Sequence, residues 1–426
     1  MTEMTEERPW FGQPRGLTVL FLTNMWEQFS YYGMRALLVY YMTKQLLMGQ
    51  QQSSFIYGTY TACAYFTPII GGVIADRYLG KRWAVIIGAS IMAAGHFMMT
   101  FEALFYFALG AIAIGNGLFL PSLPSQVGDL YKRGDPRRPW AFNVYYVGIN
   151  IGGFLAPLIC GTLGELYGWH YGFGAAGIGM VAGLLIYLWG GRYLPPEQPR
   201  ATVEQKAVRA GFSRDTILLL LGIAIAVTVF RSAYEQVGNT VALWADSGVD
   251  RKAGSFAIPM TWFQSLNPLF VMAMTPPLLA YWQRRARRDP HQALVKRMGI
   301  GALIVGLSYV LLAGVSAMTG AGLANWIWLV LFFVVLTFGE LLILPTGLGL
   351  FARLAPAHLG ATTVAAWFLV IFTGSLSAGF IGSLWSRLDP VHFFILLAIL
   401  AATAAAMLFA ISAVTERRPN MTNAPN

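Results

Sequence analysis

Five charged side chains lie within long apolar segments of the sequence, where an isolated charge is costly. They are Glu27, Arg35, Arg231, Glu235 and Glu340. A charge at the bilayer centre costs roughly 2.5–3.5 kcal/mol on insertion scales, so such residues usually face water, pair with each other or carry function. A carboxylate binds an ammonium group or a proton, and a guanidinium holds a carboxylate through two parallel hydrogen bonds. These residues therefore predict a functional site that faces a water-filled cavity, with a structural ion pair as the alternative for each.

The spacing of these residues predicts two local arrangements. Glu27, Tyr31 and Arg35 are four residues apart, so in a helix they form one polar stripe. Arg231 and Glu235 have the same spacing and lie within pairing distance on one helix face. We therefore predict that Arg231 is the ion-pair partner of Glu235, which takes or releases a proton when the two separate. The alternative is that Arg231 binds an anionic substrate.

The composition is that of a membrane protein. Of the 426 residues, 56% are hydrophobic and 11% charged, whereas a soluble domain has roughly 25% charged residues. Twelve apolar segments are long enough to cross a bilayer, which takes about 20 residues of helix. They run over about 16–42, 54–76, 83–101, 103–124, 139–163, 171–191, 215–245, 256–282, 298–318, 325–350, 361–385 and 390–414. We predict an all-α membrane protein with twelve transmembrane helices.

The net charge of +10 reflects orientation in the membrane and does not indicate nucleic-acid binding. With the N-terminus inside, most of the 29 Lys and Arg residues fall in inside segments, as the positive-inside rule requires. We therefore expect the lipid bilayer and no nucleic acid as a partner. The expected location is the bacterial cytoplasmic (inner) membrane, with both termini in the cytoplasm and the protein a monomer.

Sequence motifs for catalysis or cofactor binding are not found. The chain has no G-x-x-x-x-G-K-[ST], H-E-x-x-H or G-x-S-x-G pattern, and Cys63 and Cys160 both lie within apolar segments. We expect no enzyme activity, no metal and no cofactor. Uphill transport would then draw on an ion gradient or an exchange partner.

The longest internal polar stretch, 192–214, divides the helices into two groups of six. Two six-helix halves joined by a cytoplasmic linker resemble the major facilitator superfamily, whose halves form pseudo-symmetric bundles around a central site. The predicted organisation is a cytoplasmic N-tail (1–15), an N-terminal bundle (16–191), the linker (192–214), a C-terminal bundle (215–414) and a cytoplasmic C-tail (415–426). The linker is too short for an additional helix pair, so we predict the plain twelve-helix form.

Several motifs resemble the proton-dependent oligopeptide transporter (POT) family. The main ones are GGVIADRYLGKRWAVIIGAS (71–90) and FNVYYVGINIGGF (142–154). Further matches are WEQFSYYGMRALL (26–38), YEQVGN (234–239), FQSLNP (263–268), FGELLILPTGL (338–348) and APAHLG…AAW (355–367). The resemblance implies symport of di- and tripeptides with protons by alternating access. It also implies that Asp76, in the first motif, helps to lock the cytoplasmic gate.

The resemblance implies roles for individual residues around a central cavity. Tyr31, Tyr32 and Arg35 correspond to residues that hold the C-terminal end and backbone of a peptide. Asn150, Asn267 and Glu340 match positions that bind its amino group. Tyr65 and Trp367 fall at further binding positions, Trp367 as a side-pocket aromatic. Helix packing is the alternative for the aromatic residues and for the two asparagines.

Three departures from the family pattern bear on proton coupling. The family's E-x-x-E-R group is Asn24, Glu27 and Gln28 here, and Leu120 stands where a Lys is expected. Arg231 stands where an aromatic residue is common, so we predict that it replaces the missing Lys as partner of Glu235. Two alternatives stay open: a transporter of another small organic or inorganic anion with weak or altered coupling, and a ligand sensor that does not transport.

Overall fold

A computed structural model of the protein describes residues 12–132, 135–196, 214–288, 294–354 and 360–417. In these ranges the helices are α1 (Arg15–Tyr40), α2 (Gln50–Ile74), α3 (Lys81–Met98), α4 (Phe105–Asp129), α5 (Arg138–Ala156), α6 (Thr162–Leu166), α7 (Trp169–Gly190), α8 (Arg214–Tyr234), α9 (Thr240–Ser247), α10 (Leu266–Arg288), α11 (Leu294–Thr319), α12 (Ile327–Leu354), α13 (Gly360–Gly382) and α14 (Pro390–Arg417). Four two-residue strands, β1 (Val249–Asp250), β2 (Lys252–Ala253), β3 (Phe256–Ala257) and β4 (Ala324–Asn325), pair as parallel β1–β4 and antiparallel β2–β3. Residues 197–213 of the predicted linker, both tail ends and residues 355–359 of one quoted motif lie outside the described residues.

Short helical turns join some of these helices into longer rods. α5 continues into α6 through a π-helical turn at Pro157–Gly161, and α8 continues into α9 after a 3₁₀ turn at Glu235–Gly238. Counted in this way, the described ranges contain twelve rods, each overlapping one of the twelve predicted segments. The predicted segment 256–282 is wrong at its start, because Phe256–Ala257 is a strand and α10 begins only at Leu266. Eight of the rods are long and apolar enough to cross a membrane. The remaining four are α1, α2, α3 and α10; α1, for example, carries Thr23, Asn24, Glu27 and Gln28 along its length. The predicted all-helical membrane architecture is confirmed.

The chain forms two compact units. The first consists of the residues up to Leu38 and of those from Phe66 into the linker. Its centre is α3, which packs along α4 and α7. Their fully buried apolar side chains include Val85, Met92 and Phe119. Close approach of helices in this unit depends on residues without side chains, since the Cβ of any residue at position 71 would overlap the carbonyl of Gly117.

The loop within the first family motif (71–90) connects α2, which ends at Ile74, to α3, which begins at Lys81. A π-helical turn, Ala75–Leu79, is followed by Gly80 at φ +80°, a backbone conformation that favours glycine. Lys81 then forms an ion pair of 2.7 Å with Asp129 at the end of α4. Asp76 is exposed in the turn, and its gating role stays a prediction.

The second unit takes Val39–Tyr65 and the chain after the linker. Its core is formed by α11 against α12 and α14, with α8 against α13 and α14. The fully buried residues there include Phe230, Tyr309, Phe332 and Phe394. The Tyr309 hydroxyl donates to the backbone carbonyl of Ala233 at 2.7 Å, so its polar end is satisfied inside the apolar core.

Hydrogen bonds explain why residues 39–65 belong to the second unit. The Tyr40 hydroxyl donates to the carbonyl of Ala242 at 2.8 Å, and the Ser54 hydroxyl donates to Asn239 at 2.9 Å. Lys44 forms an ion pair with Asp246 at 2.7 Å. The compact units thus divide the chain differently from the predicted bundles 16–191 and 215–414, which follow helix order alone and stay a prediction.

Candidate functional site

A buried ion pair lies where α8 ends. Arg231 and Glu235 are bonded through Nη2 and Oε1, and their side chains are only 4% and 2% exposed. The predicted pairing is therefore present in the structure. α13 passes directly over this pair, since a Cβ on Gly374 would overlap the Arg231 Cβ. The absence of a side chain at position 374 thus makes room for the cation.

Two tyrosine rings flank the Arg231 guanidinium. Its carbon lies 5.5 Å from the ring centroid of Tyr65 and 5.4 Å from that of Tyr234. Cation–π contacts at such distances contribute about 0.5–2 kcal/mol, more when they are removed from water. Tyr65 thus contacts the predicted gating cation, and its binding of substrate stays a prediction.

A second carboxylate belongs to the same group of side chains. The Asn267 amide nitrogen donates to Glu340 Oε2 at 2.6 Å and to the Thr337 hydroxyl at 3.1 Å. The Tyr234 hydroxyl also lies next to the Glu340 carboxylate and interacts with it. Tyr234 thereby connects the guanidinium to the second carboxylate. We call Arg231, Tyr234, Glu235, Asn267 and Glu340 the carboxylate cluster.

The charges of the carboxylate cluster do not balance. When both acids are ionised, Glu235 and Glu340 outnumber the single cation Arg231 by one negative charge. Unbalanced charge in the interior of a membrane protein is costly, so the cluster favours an additional cation. A substrate ammonium group or a proton meets that requirement, and an anion does not.

The polar stripe of α1 lies in the first unit, and the burial of its side chains differs along the helix. Glu27 is 1% exposed, and the Gln28 amide donates to its Oε2 at 2.7 Å. Its Oε1 has no hydrogen-bond partner among the described residues. Tyr31 is buried and lies edge-on to Tyr32, with ring centroids 5.5 Å apart, and Arg35 is half-buried. Arg35 is thus the most accessible of the three stripe residues, whereas the carboxyl group of Glu27 is enclosed.

Two other predicted site residues make contacts that helix packing explains. The Asn150 amide donates to the carbonyl of Tyr146 in its own helix at 2.9 Å. Trp367 is 4% exposed, and its ring lies 5.2 Å from that of Phe351 and against Gly347. Contact of either residue with a substrate stays a prediction.

An apolar cavity of about 580 Å³ lies between α8 and α13 in the second unit. Its lining includes Leu220, Ala224, Leu369 and Val370 and no ionisable side chain. It is therefore not the charge-binding site, although it begins one helical turn before Arg231. The size and lining suit an apolar group.

Sequence reasoning missed three residues that the structure brings into these networks. Tyr234, adjacent to Glu235, joins Arg231 to Glu340. Thr337 lies one helical turn before Glu340 and accepts from Asn267. Gln28 was treated only as a lost base, yet it is a hydrogen-bond donor to the adjacent acid. The available signal was a spacing of three residues, from Arg231 for Tyr234 and from Glu340 for Thr337.

Membrane-length helices that enclose ionisable side chains near their midpoints define a secondary transporter, the class of membrane protein that uses gradients of ions or exchange partners. The chain belongs to the POT family: the family's sequence profile, described as "POT family", matches residues 82–213 and 209–393. The predicted family membership and the predicted major facilitator superfamily fold are confirmed.

Individual relatives match over almost the whole chain. The di-/tripeptide transporter of Lactococcus lactis subsp. cremoris is 32% identical, over 91% of this chain and 93% of that protein. An uncharacterized transporter of Bacillus subtilis (strain 168), YclF, is 32% identical over 96% of each chain. A crystal structure of a POT family transporter in complex with 5-aminolevulinic acid has a TM-score of 0.88 and 27% identity, covering 98% of each chain.

Proposed function

We propose that the protein imports di- and tripeptides together with protons by alternating access. Family membership and the relative named a di-/tripeptide transporter support this function. The observation that carries it is the carboxylate cluster, which lies within the membrane helices and holds two acids against one cation. The proposed location is the bacterial cytoplasmic membrane, with both termini in the cytoplasm, and the protein is a transporter without enzyme activity.

The chemistry of the cluster suits the amino end of a peptide. Glu340 supplies a carboxylate for the ammonium group, and Asn267 already donates its amide nitrogen to Glu340, which directs its amide oxygen elsewhere as an acceptor. Arg35 is the residue we propose for the peptide carboxylate, because its planar fork makes two parallel bonds to such a group. Asn150, Tyr31, Tyr32, Tyr65 and Trp367 are proposed as further substrate contacts.

The proton site we propose is Glu235. While Glu235 is ionised, Arg231 is its partner; when Glu235 is protonated, the guanidinium loses that partner and becomes available to other acceptors. Arg231 would thus act as the cation that relatives place at the position of Leu120. Glu27 is proposed as a second acid in the coupling path, and Asp76 as part of the gate.

The proposal is tested by uptake of a labelled dipeptide into proteoliposomes, with the pH gradient and the voltage imposed separately. One charge moving through 100 mV supplies about 2.3 kcal/mol, enough for about fortyfold accumulation. Glu235→Gln should abolish gradient-driven accumulation and retain exchange of labelled for unlabelled peptide. Glu102→Gln, at an exposed acid in the short 3₁₀ turn that precedes α4, is the matched control and should behave as wild type.

Two results would count against this function. Wild-type protein that exchanges the dipeptide but never accumulates it would be a facilitated carrier without proton coupling. Accumulation by Glu235→Gln equal to that of wild type would remove Glu235 from the coupling mechanism.

A second candidate is import of a small zwitterion that is not a peptide. The cluster recognises an ammonium group and shows no contact that requires an amide bond. Competition of the dipeptide by a δ-amino acid of similar length tests it, because equal inhibition would favour this broader substrate class. Arg231 as an anion-binding residue is less favoured, since it is 4% exposed and bonded to Glu235.

A further inference from the structure

Three arginines from distant parts of the chain converge at one corner of the first unit. Arg15 begins α1, Arg82 lies in the first turn of α3, and Arg192 follows the end of α7. All three side chains are exposed. They lie at the membrane face where α1 begins, which the charge distribution predicts to be cytoplasmic.

The turn Gly191–Tyr193 organises this corner. The Arg192 guanidinium lies 4.8 Å from the ring centroid of Tyr193, and that of Arg15 lies 5.7 Å from the same ring. The two charges are therefore within roughly 10 Å of each other, about the screening length at 0.1 M salt. The Arg82 guanidinium lies against Gly191, in the place that a Cβ would occupy. We call Arg15, Arg82 and Arg192 the arginine triad.

Within the part of the chain that the structure describes, the arginine triad lacks the carboxylates that its neighbours have. Lys81 is paired with Asp129, and Arg137 is paired with Asp135. Among the described residues, no acid pairs with any member of the triad. Like charges repel, so three unpaired cations held together favour an anion between them.

The surroundings of the triad point to a lipid as the source of that anion. Leu185, Leu188 and Trp189 precede Arg192 at helical spacing on one face of α7, and they are 58%, 47% and 73% exposed. Arg192 also stacks on Trp189 at 5.2 Å. An exposed apolar stripe that ends in an arginine and a tryptophan is the pattern expected at the membrane–water interface. It offers room for an acyl chain below a headgroup.

We propose that the arginine triad binds the phosphate of an anionic phospholipid, with an acyl chain along the exposed stripe of α7. Arginine forks bind phosphate through parallel hydrogen bonds, and basic pockets between transmembrane helices on the cytoplasmic side bind anionic headgroups. Orientation in the membrane alone requires only that basic residues lie on one side. It does not require that the beginnings of α1 and α3 and the end of α7 bring them together at the single turn Gly191–Tyr193.

Lipid retention on the purified full-length protein tests this site, measured by native mass spectrometry with phosphatidylglycerol and phosphatidylcholine of identical acyl chains. Wild type should retain phosphatidylglycerol preferentially. The variant Arg15→Gln/Arg82→Gln/Arg192→Gln should lose about a hundredfold in affinity, since each basic residue near an anionic headgroup contributes about fivefold. The variant with Lys at all three positions keeps the charges but not the guanidinium groups. Its affinity for phosphatidylglycerol should lie between those of wild type and the triple Gln variant.

The matched control is a triple variant at exposed basic residues of the second unit, Arg214→Gln/Arg284→Gln/Lys296→Gln. Equal losses in the triad and control variants would show only diffuse attraction and overturn the proposal. Displacement of phosphatidylglycerol by inorganic phosphate at equal concentration would make the site a free-phosphate site and overturn it as well. Should the triple variant fail to fold, Arg192→Gln alone gives the same comparison. Peptide uptake is not the readout, so this test stands apart from the proposed function.

Discussion

Removing one partner of the buried ion pair should destabilise the protein more than removing both partners. Arg231 and Glu235 are 4% and 2% exposed, so Arg231→Met leaves a carboxylate without its cation in a dry environment. Breaking a buried pair in this way costs about 3–5 kcal/mol, whereas replacing both partners by apolar residues of similar volume is often neutral. We therefore expect Arg231→Met to be strongly destabilised and Arg231→Met/Glu235→Met to be close to wild type.

The assay is thermal unfolding of the detergent-solubilised variants at neutral and at mildly acidic pH. The penalty of Arg231→Met should shrink as the pH falls, because protonation of Glu235 removes the uncompensated charge. The double variant should show no such pH dependence relative to wild type, and it should retain exchange of the substrate while it loses gradient-driven accumulation. Arg231→Lys keeps a cation and is the matched control. Its loss of thermal stability should be smaller than that of Arg231→Met, because only the planar guanidinium and its ring contacts are missing.

Two outcomes would refute this reasoning. If the double variant were less stable than Arg231→Met, the pair would be stabilising beyond its desolvation cost. If Arg231→Met were equally stable at both pH values and similar to wild type, Glu235 would not depend on Arg231 for its charge.

Further predictions concern the substrate acid, the helix packing and an exposed ion pair. Glu340→Gln should raise the concentration of dipeptide needed for half-maximal uptake about tenfold or more, because a hydrogen bond to a charged group is worth about 1.5–3 kcal/mol; competition uptake measures it. Gly71→Val should reduce the yield of monodisperse protein because its Cβ meets a backbone carbonyl of α4, whereas Gly72→Ala makes only ordinary contacts at 3.5 Å and should be tolerated in size-exclusion chromatography. Arg137 lowers the pKa of Asp135 by hydrogen bonding, so the contact stabilises the fold at neutral pH and is lost as the pH falls through that lowered pKa. Asp135→Asn should lower the melting temperature slightly at neutral pH, because the contact is lost, and should remove its acid dependence.

The helices and one ion pair were predictable because they depend on local spacing. Twelve apolar segments of sufficient length predict twelve rods, and an interval of four residues predicts that Arg231 contacts Glu235. Even the interruption of α8 directly after Tyr234 did not disturb this pairing, because both side chains lie within one turn of helix.

Contacts between helices distant in sequence were harder to predict. The contact of Tyr234 with Glu340 joins α8 to α12 and has no signature in either segment. The assignment of residues 39–65 to the second unit depends on bonds such as Ser54 to Asn239, which hydropathy does not indicate. The packing of Trp367 against Phe351 and Gly347 has no signature in the sequence either, and its contact with a substrate stays a prediction. Spacing along one helix specifies a face but not which helix packs against that face.

The close approach of α13 to Arg231 has a consequence for protein engineering. Any side chain at position 374 would occupy the space of the Arg231 stem. Grafting this cation onto another transporter of the same architecture would therefore require a glycine on the facing helix as well. If the arginine were introduced without this glycine, the two helices would be pushed apart. That distortion would obscure the effect of the new charge on proton coupling.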